Sequence, residues 1–378
     1  MITLFKRDSA FHFVGPLPAA AGESVPRRQS SLRNGSPNGM TKSRLSKSLA
    51  RCAGLLLAGL AVVLGTSGCA SYRPAPLMVQ HQALAAPTNC PDHGLSLKVV
   101  TYNIWGLPSW MTGSRPGRYP KIARELEQLD PDIVLLQEAW TAKARKAAPA
   151  NGRWQIARGA GQHTFFQQNG LMTLSKCPII GGEFYPFPRA ASWDRFVNKG
   201  ILKVTVQLAG GEVLNIWNVH LQEGGPIEVR RAQVRELVSR VQAAEDGQIA
   251  DLIGGDFNCT PKSPLFRELA SSLGPSVHQL GNAEPFITWD GLSAKPGAGR
   301  TLDYIFVRQR AILRNPQAAP RVAFAAPRLE HRLSDHLGIE AVLNLEVPFS
   351  VADAGGSRME HLLLPTVGSG RAESGGVD

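Results

Sequence analysis

Cysteine is scarce in this chain, with five among 378 residues and none in the close pairs that hold a zinc ion. Cys52 and Cys69 lie at the head of the sequence, so Cys90, Cys177 and Cys259 remain for any folded body. Three thiols permit at most one disulfide and leave one unpaired, and nothing in the spacing selects a bridge. Long apolar runs are also missing: the stretch from Ala53 to Leu64 is too short to cross a bilayer comfortably. No internal repeat is evident, which argues against a solenoid or propeller. The net charge of +11 is unevenly placed, with nine Lys and Arg against two acidic residues in 1–68 and thirty-two against twenty-eight afterwards. The body therefore lacks the strong positive excess expected of a nucleic-acid-binding protein.

What is present begins with a head built for export. Residues 1–39 are rich in Pro, Ser, Arg and Gly, and Met40 is an alternative start. A basic segment, the short apolar run and the small residues of "TSGC" then follow the pattern of a secretory signal. The ending resembles a bacterial lipoprotein processing site, with Cys69 lipidated as the first mature residue. Thr66 stands where a leucine is commoner. This predicts an exported lipoprotein, anchored at the outer membrane with its domain in the periplasm or at the cell surface; simple secretion is the alternative. Residues 69–94 read as a Pro/Ala-rich tether, 95–348 as the folded domain, and 349–378 as a disordered tail.

Within 95–348, short alternating runs such as "LSLKVVTYNIW", "EVLNIWNVHLQ" and "RTLDYIFVR" read as strands. "YPKIARELEQL" and "PIEVRRAQVRELVSRVQ" read as amphipathic helices, with Pro226 placed near a first turn. Many short strands interrupted by helices favour two sheets packed together with helices outside.

Polar residues recur where these runs end: Asn103, Glu138, His220, Asp256 with Asn258, and Asp335 with His336, while Asp303 sits inside an apolar run. Any one of them has an ordinary structural explanation as a cap, a surface ion pair or a satisfied core histidine. Six such elements are harder to explain that way, because a buried carboxylate needs compensation. Oxygen donors without cysteine pairs suit Mg2+, with Mn2+ or Ca2+ possible, rather than zinc. "GGDFN" is the sharpest element, read as a tight glycine turn presenting a carboxylate and an amide together.

The ordered set "TYNIWG", "LLQEAW", "NVHLQ", "GGDFN", "RTLDYIFV" and "LSDHLGI" resembles the endonuclease/exonuclease/phosphatase superfamily of metal-dependent phosphoesterases. The resemblance implies an α/β fold, a four-layer α/β/β/α sandwich of two packed, mostly antiparallel β-sheets flanked by helices. It implies that Glu138 binds the ion, with Asn103 and Asp335 as direct or water-mediated ligands. His336 would be the general base and Asp303 the group that orients its ring. Asp256 and Asn258 would position the water and the phosphoryl oxygens, and His220 would hydrogen-bond the phosphate or help protonate the departing oxygen.

Within the superfamily, "NIWGLP", "NGLMTLSKCPI" and "SWDRFVNKGILKV" are similar to segments of neutral sphingomyelinases, which places Lys199 and Trp105 beside the substrate. Trp105, Trp110, Phe184, Tyr185, Phe187, Trp193 and Trp289 are predicted in or beside loops, where they either meet lipid or pack the loops down. A sphingomyelinase or phospholipase C-like lipid phosphodiesterase is the leading expectation, with the membrane as partner and no obligate protein partner. A nuclease acting on nucleic acid, a phosphomonoesterase and a noncatalytic binding protein are the alternatives.

Overall fold

The computed structural model describes residues 4–7, 10–13, 75–80, 90, 96–109, 115, 117–159, 169–244, 249–293, 295, 297, 299–309, 314–326 and 328–346. The segment expected to act as a signal, with Cys52, Thr66 and Cys69, the expected tail 349–378, and Trp110 lie outside the described residues. The chain divides into two units, Met1–Pro74 and Ala75–Asp378. In the first, β1 (Leu4–Arg7) and β2 (Ala10–Phe13) form an antiparallel hairpin in which Leu4 pairs with Phe13.

The second unit carries two mixed sheets. One runs in the order β12 (Asp303–Gln309), β11 (Ala250–Asp256), β10 (Val213–His220), β9 (Gly200–Gln207), β8 (Ile179–Pro186). The other runs β6 (Gln155–Gly159), β7 (Met172–Ser175), β5 (Ile133–Gln137), β4 (Ser96–Asn103), β14 (Gly338–Glu346), β13 (Arg314–Ala323). Among the described residues, β10 with β11 and β4 with β5 pair in parallel and the other pairs are antiparallel, matching the expected mostly antiparallel sheets. The segment 69–94 departs from its expected role as a tether. Within it, β3 (Ala75–Gln80) pairs with both β6 and β8 and joins the sheets along one side. Its composition suggests a linker because its backbone partners lie far along the chain, where no local pattern reveals them. Beyond it, Cys90 is disulfide-bonded to Cys177, while Cys259 is free and buried.

The strand period explains the layers. Side chains alternate between faces, so Leu97 and Val99 of β4 join Ile133 and Leu135 of β5, Leu214 and Ile216 of β10, Leu252 of β11 and Ile305 of β12 in the core between the sheets. The other face of β4 and β5, with Val100, Tyr102, Val134 and Leu136, packs on Ile122 and Leu126 of α1 (Arg118–Leu129). Opposite, α2 (Ile227–Gln242) and α3 (Pro264–Leu273) lie on the five-stranded sheet, where Phe266 meets Tyr304 and Phe306. A short helix, α4 (Val277–Leu280), carries a complete capping box on Ser276 and Gln279.

Phe184 and Tyr185, expected in loops, are buried on β8. Their neighbours in sequence are glycines and prolines, which disguise a strand. "GGD" also differs from the expected turn: both glycines lie inside β11. A Cβ on Gly254 would come within 2.5 Å of Leu135 on the facing sheet, so glycine permits the close approach. Among the described residues no helix is long and apolar enough to cross a membrane.

Candidate active site

The inward face of the central strands changes from apolar to polar as it nears one rim. Along β4 it reads Leu97, Val99, Thr101, Asn103; along β10, Leu214, Ile216, Asn218, His220; along β11, Ala250, Leu252, Gly254, Asp256. On β12, running the other way, it starts at Asp303 and proceeds to Ile305 and Val307. One level below the rim, Gln137 donates to Asn218 across the sheets at 2.8 Å and to Thr101 at 3.2 Å. Above that level Asn103, Glu138, His220, Asp256, Asp303, Asp335 and His336 are all buried.

Their geometry is specific. His336 Nδ1 lies 2.9 Å from Asp303 Oδ2, and His336 Nε2 lies 3.7 Å from Asp256 Oδ2. Asn103 Nδ2 donates to Glu138 Oε1 at 3.1 Å and to Asp256 Oδ2 at 3.0 Å, so it ties two carboxylates together and presents its donor to them. Its Oδ1 accepts from the Trp105 backbone N–H. His220 Nε2 stands 3.5 Å from Asp256 Oδ2 and 3.0 Å from Lys199 Nζ, and Lys199 pairs with Asp194 at 2.9 Å. Asn258 donates its backbone N–H to Asp256 Oδ1 and its side-chain amide to the Leu221 carbonyl. Asp335 accepts from the Trp289 indole at 3.3 Å. Trp105 is half-buried at the edge of this group.

The backbone is held in unusual conformations where the strands end. Trp105, Glu138 and Asn258 all have φ between 49° and 61°, the left-handed region. Gly106 lies against Glu138: a Cβ there would fall 1.7 Å from the Glu138 carbonyl oxygen, which accounts for the glycine of "NIWG".

Electrostatics follow from burial and crowding. Burial, then the neighbouring Asp303 charge, pushes the Asp256 carboxyl up to about 7. Burial alone lowers a histidine, but Asp303, Asp256 and Asp335 outweigh it and push His336 up to about 10. Burial also raises the Asp194 carboxyl, against the opposing pull of Lys199.

Several contributors had no sequence signal. Arg118 is buried and donates to the Ile104, Trp105 and Leu333 carbonyls, joining the end of β4 to the strand of chain before Asp335. Thr288 Oγ1 accepts from the Leu302 and Asp303 N–H groups, and its carbonyl accepts from Leu337 N–H. An arginine at a helix start and a threonine in a loop carry no pattern that marks them.

Ligand atoms of Asp256, Asp303 and His336 lie within 4.8 Å of one another, a buried grouping able to coordinate a divalent ion. Asp303 Oδ1 is buried with no hydrogen-bond partner among the described residues. Glu138, tied to Asp256 through Asn103 Nδ2, adds a further carboxylate beside this grouping, and a donor set of carboxylates and one imidazole without cysteine fits a divalent cation of the magnesium or manganese kind.

A sequence model of the endonuclease/exonuclease/phosphatase family matches residues 100–336. The chain belongs to this family. Among curated proteins, one of Drosophila melanogaster named as a candidate neutral sphingomyelinase is 25% identical over 273 residues, covering 66% of this chain. The chain spans 61% of that relative's length. An inositol phosphosphingolipids phospholipase C of Schizosaccharomyces pombe is 25% identical over 299 residues, covering 66% of this chain and 69% of its own. Among solved structures, sphingomyelinase C of Streptomyces griseocarneus superposes with a TM-score of 0.50 at 21% identity, covering 66% and 99% of the two chains. D. rerio TDP2 complexed with a single-strand DNA product superposes with a TM-score of 0.55 at 17% identity, covering 66% and 99%. These likenesses establish the endonuclease/exonuclease/phosphatase fold, in agreement with the site's composition.

Proposed function

We propose that this chain is a divalent-metal-dependent phosphodiesterase of the sphingomyelinase or phospholipase C kind, hydrolysing its substrate by direct attack of water. The observation that carries the chemistry is the His336–Asp303 pair, held at 2.9 Å inside a buried carboxylate field. Asp303 holds the His336 Nδ1 proton, which leaves Nε2 to take the proton of the attacking water. Asp256 faces that nitrogen and, with Asn258, orients the water and the phosphoryl oxygens. His220 and Lys199, 3.0 Å apart, offer positive charge and a proton to the departing oxygen. Trp105 borders the space where the rest of the substrate would lie.

Glu138 and Asp335 would hold the ion, with Asn103 ordering Glu138 against Asp256; Mg2+ is the first choice, Mn2+ and Ca2+ the alternatives. Such an ion supplies Lewis-acid stabilisation of charge developing on the phosphoryl oxygens. Against the lowering effect of burial, Asp303, Asp256 and Asp335 raise the proton affinity of His336, so positive charge bound among these carboxylates would free His336 to act as a base near neutrality.

Support for a lipid substrate is the family's phosphosphingolipid-directed relatives and the "NIWGLP" segment. We place the protein in the cell envelope, anchored through a lipidated Cys69. The test offers the full chain sphingomyelin, phosphatidylcholine, plasmid DNA and an inositol phosphate in parallel, with Mg2+ or EDTA, and follows products by mass. Mg2+-dependent phosphocholine release that is lost in His336→Ala is expected. Nicked DNA with untouched lipid would replace the lipid reading with the nuclease one, and full activity in H336A would remove His336 as the base.

A further inference from the structure

We infer that the catalytic rim is the membrane-facing surface of this protein, held against the bilayer by the point at which the chain enters the domain. The inference rests on Cys69 being lipidated. Only five residues, 70–74, separate Cys69 from Ala75, the first residue of β3. Fully extended, that connection reaches roughly 20 Å.

The register of β3 decides where that short leash ends. Ala75 pairs with Phe184 and Pro76 with Glu183, so β3 runs antiparallel to β8 and begins near the end of β8 at Pro186. Pro186 pairs with Gly200 of β9, beside Lys199, and Ile201 pairs with Val219 of β10, beside His220. Three strand spacings thus separate the β3 entry from His220, about 15 Å across the sheet. The chain enters at the same end of the sheets as the site residues. Had β3 run the opposite way, the same linker would have emerged at the far end and turned the site toward solvent.

The surface at this rim suits a lipid interface. Trp193 and Phe196 are 40% and 50% exposed with ring centroids 5.7 Å apart, and Ile227 is 42% exposed. Exposed large apolar side chains at one edge are better accommodated in a lipid interface than in water. Arg189 and Arg195 are exposed in the same segment, a charge pattern that complements lipid phosphates. The segment is held in place: Gln222 accepts from Ala191 N–H and donates to its carbonyl, and Asp194 accepts from Glu223 N–H. The aromatic tip is therefore fixed beside the site, and docking it on a bilayer would bring the site to lipid headgroups.

The test uses the full chain purified with its native modification and reconstituted in phosphatidylcholine/phosphatidylglycerol vesicles containing bromine-labelled acyl chains. Bromine quenching of tryptophan fluorescence is expected, with the quenched fraction removed by Trp193→Phe. Inserting twenty Gly/Ser residues between Cys69 and Ala75 is expected to reduce that quenching severalfold, and Trp193→Ala with Phe196→Ala to abolish it. An unmodified Cys69 by mass spectrometry, or quenching absent or unchanged by W193F, overturns the inference. Because quenching is read without turnover, a protein that docks this way yet cleaves no lipid would defeat the proposed substrate while leaving the orientation intact.

Discussion

Asp303 and His336 show how much one residue's surroundings decide. Each is fully buried, and neither would be tolerated there alone, because an unpaired buried charge is costly. Asp303→Asn keeps the shape but removes the charge that fixes the ring proton, and it should lower kcat by about 10²–10⁴ while KM changes little. Steady-state kinetics on the variant checks this. His278 is a buried histidine of a different kind, packed edge-on against Phe286 with neither ring nitrogen hydrogen-bonded among the described residues. Burial lowers it to about 4. The unfolded chain takes up this proton below about 6.5 and the folded one only below about 4, so stability is full above the first value and falls as pH drops through the window. The loss should be on the order of 2 kcal/mol. In His278→Leu the slope of Tm against pH between 4 and 6.5 should flatten, a result that thermal melts at a series of pH values would reveal.

At the scale of elements, strand ends carry the site and crossing contacts hold them there. Gly106 fills no space so that Glu138 can approach, and Gly106→Ala should displace the Glu138 backbone. Weaker Mg2+ binding by calorimetry, with global stability reduced by about 1–3 kcal/mol, is the expected outcome. The Cys90–Cys177 bond closes a span of 87 residues and ties the chain beyond β3 to the segment before β8. Replacing both cysteines with serine should cost about 2–4 kcal/mol in urea unfolding while leaving the site geometry in place. Two expectations fail at this scale. The supposed tether holds a strand, and Phe184 and Tyr185 are in the core, because pairing between distant segments leaves no period in a Pro-, Ala- and Gly-rich stretch.

Over the whole molecule, four buried carboxylates make the site a reservoir of negative charge that folding must tolerate. A divalent ion that binds only the folded state should raise Tm, by the equivalent of about 2.7 kcal/mol at a hundred times its Kd. Scanning fluorimetry with Mg2+ and EDTA tests this, and Glu138→Gln should remove most of the gain. The rise should grow between pH 5 and 8, since protons held on Asp256 compete with the ion and its carboxyl titrates near 7.

The sequence by itself determined the family, the two-sheet architecture and the identity of the polar residues. Period-two alternation sets which side chains share a face, and a carboxylate or histidine at the end of an apolar run is legible without a partner in view. Only the tertiary structure decided that Asn103, Asp256, Asp303 and His336, from four separate segments, meet within hydrogen-bonding or near-contact distance. It alone recruited Arg118 and Thr288, paired Cys90 with Cys177, and gave β3 its direction. The physical reason is range: alternation and turn chemistry act between neighbours in the chain, whereas register, closure and charge convergence are settled by contacts between residues tens to hundreds of positions apart.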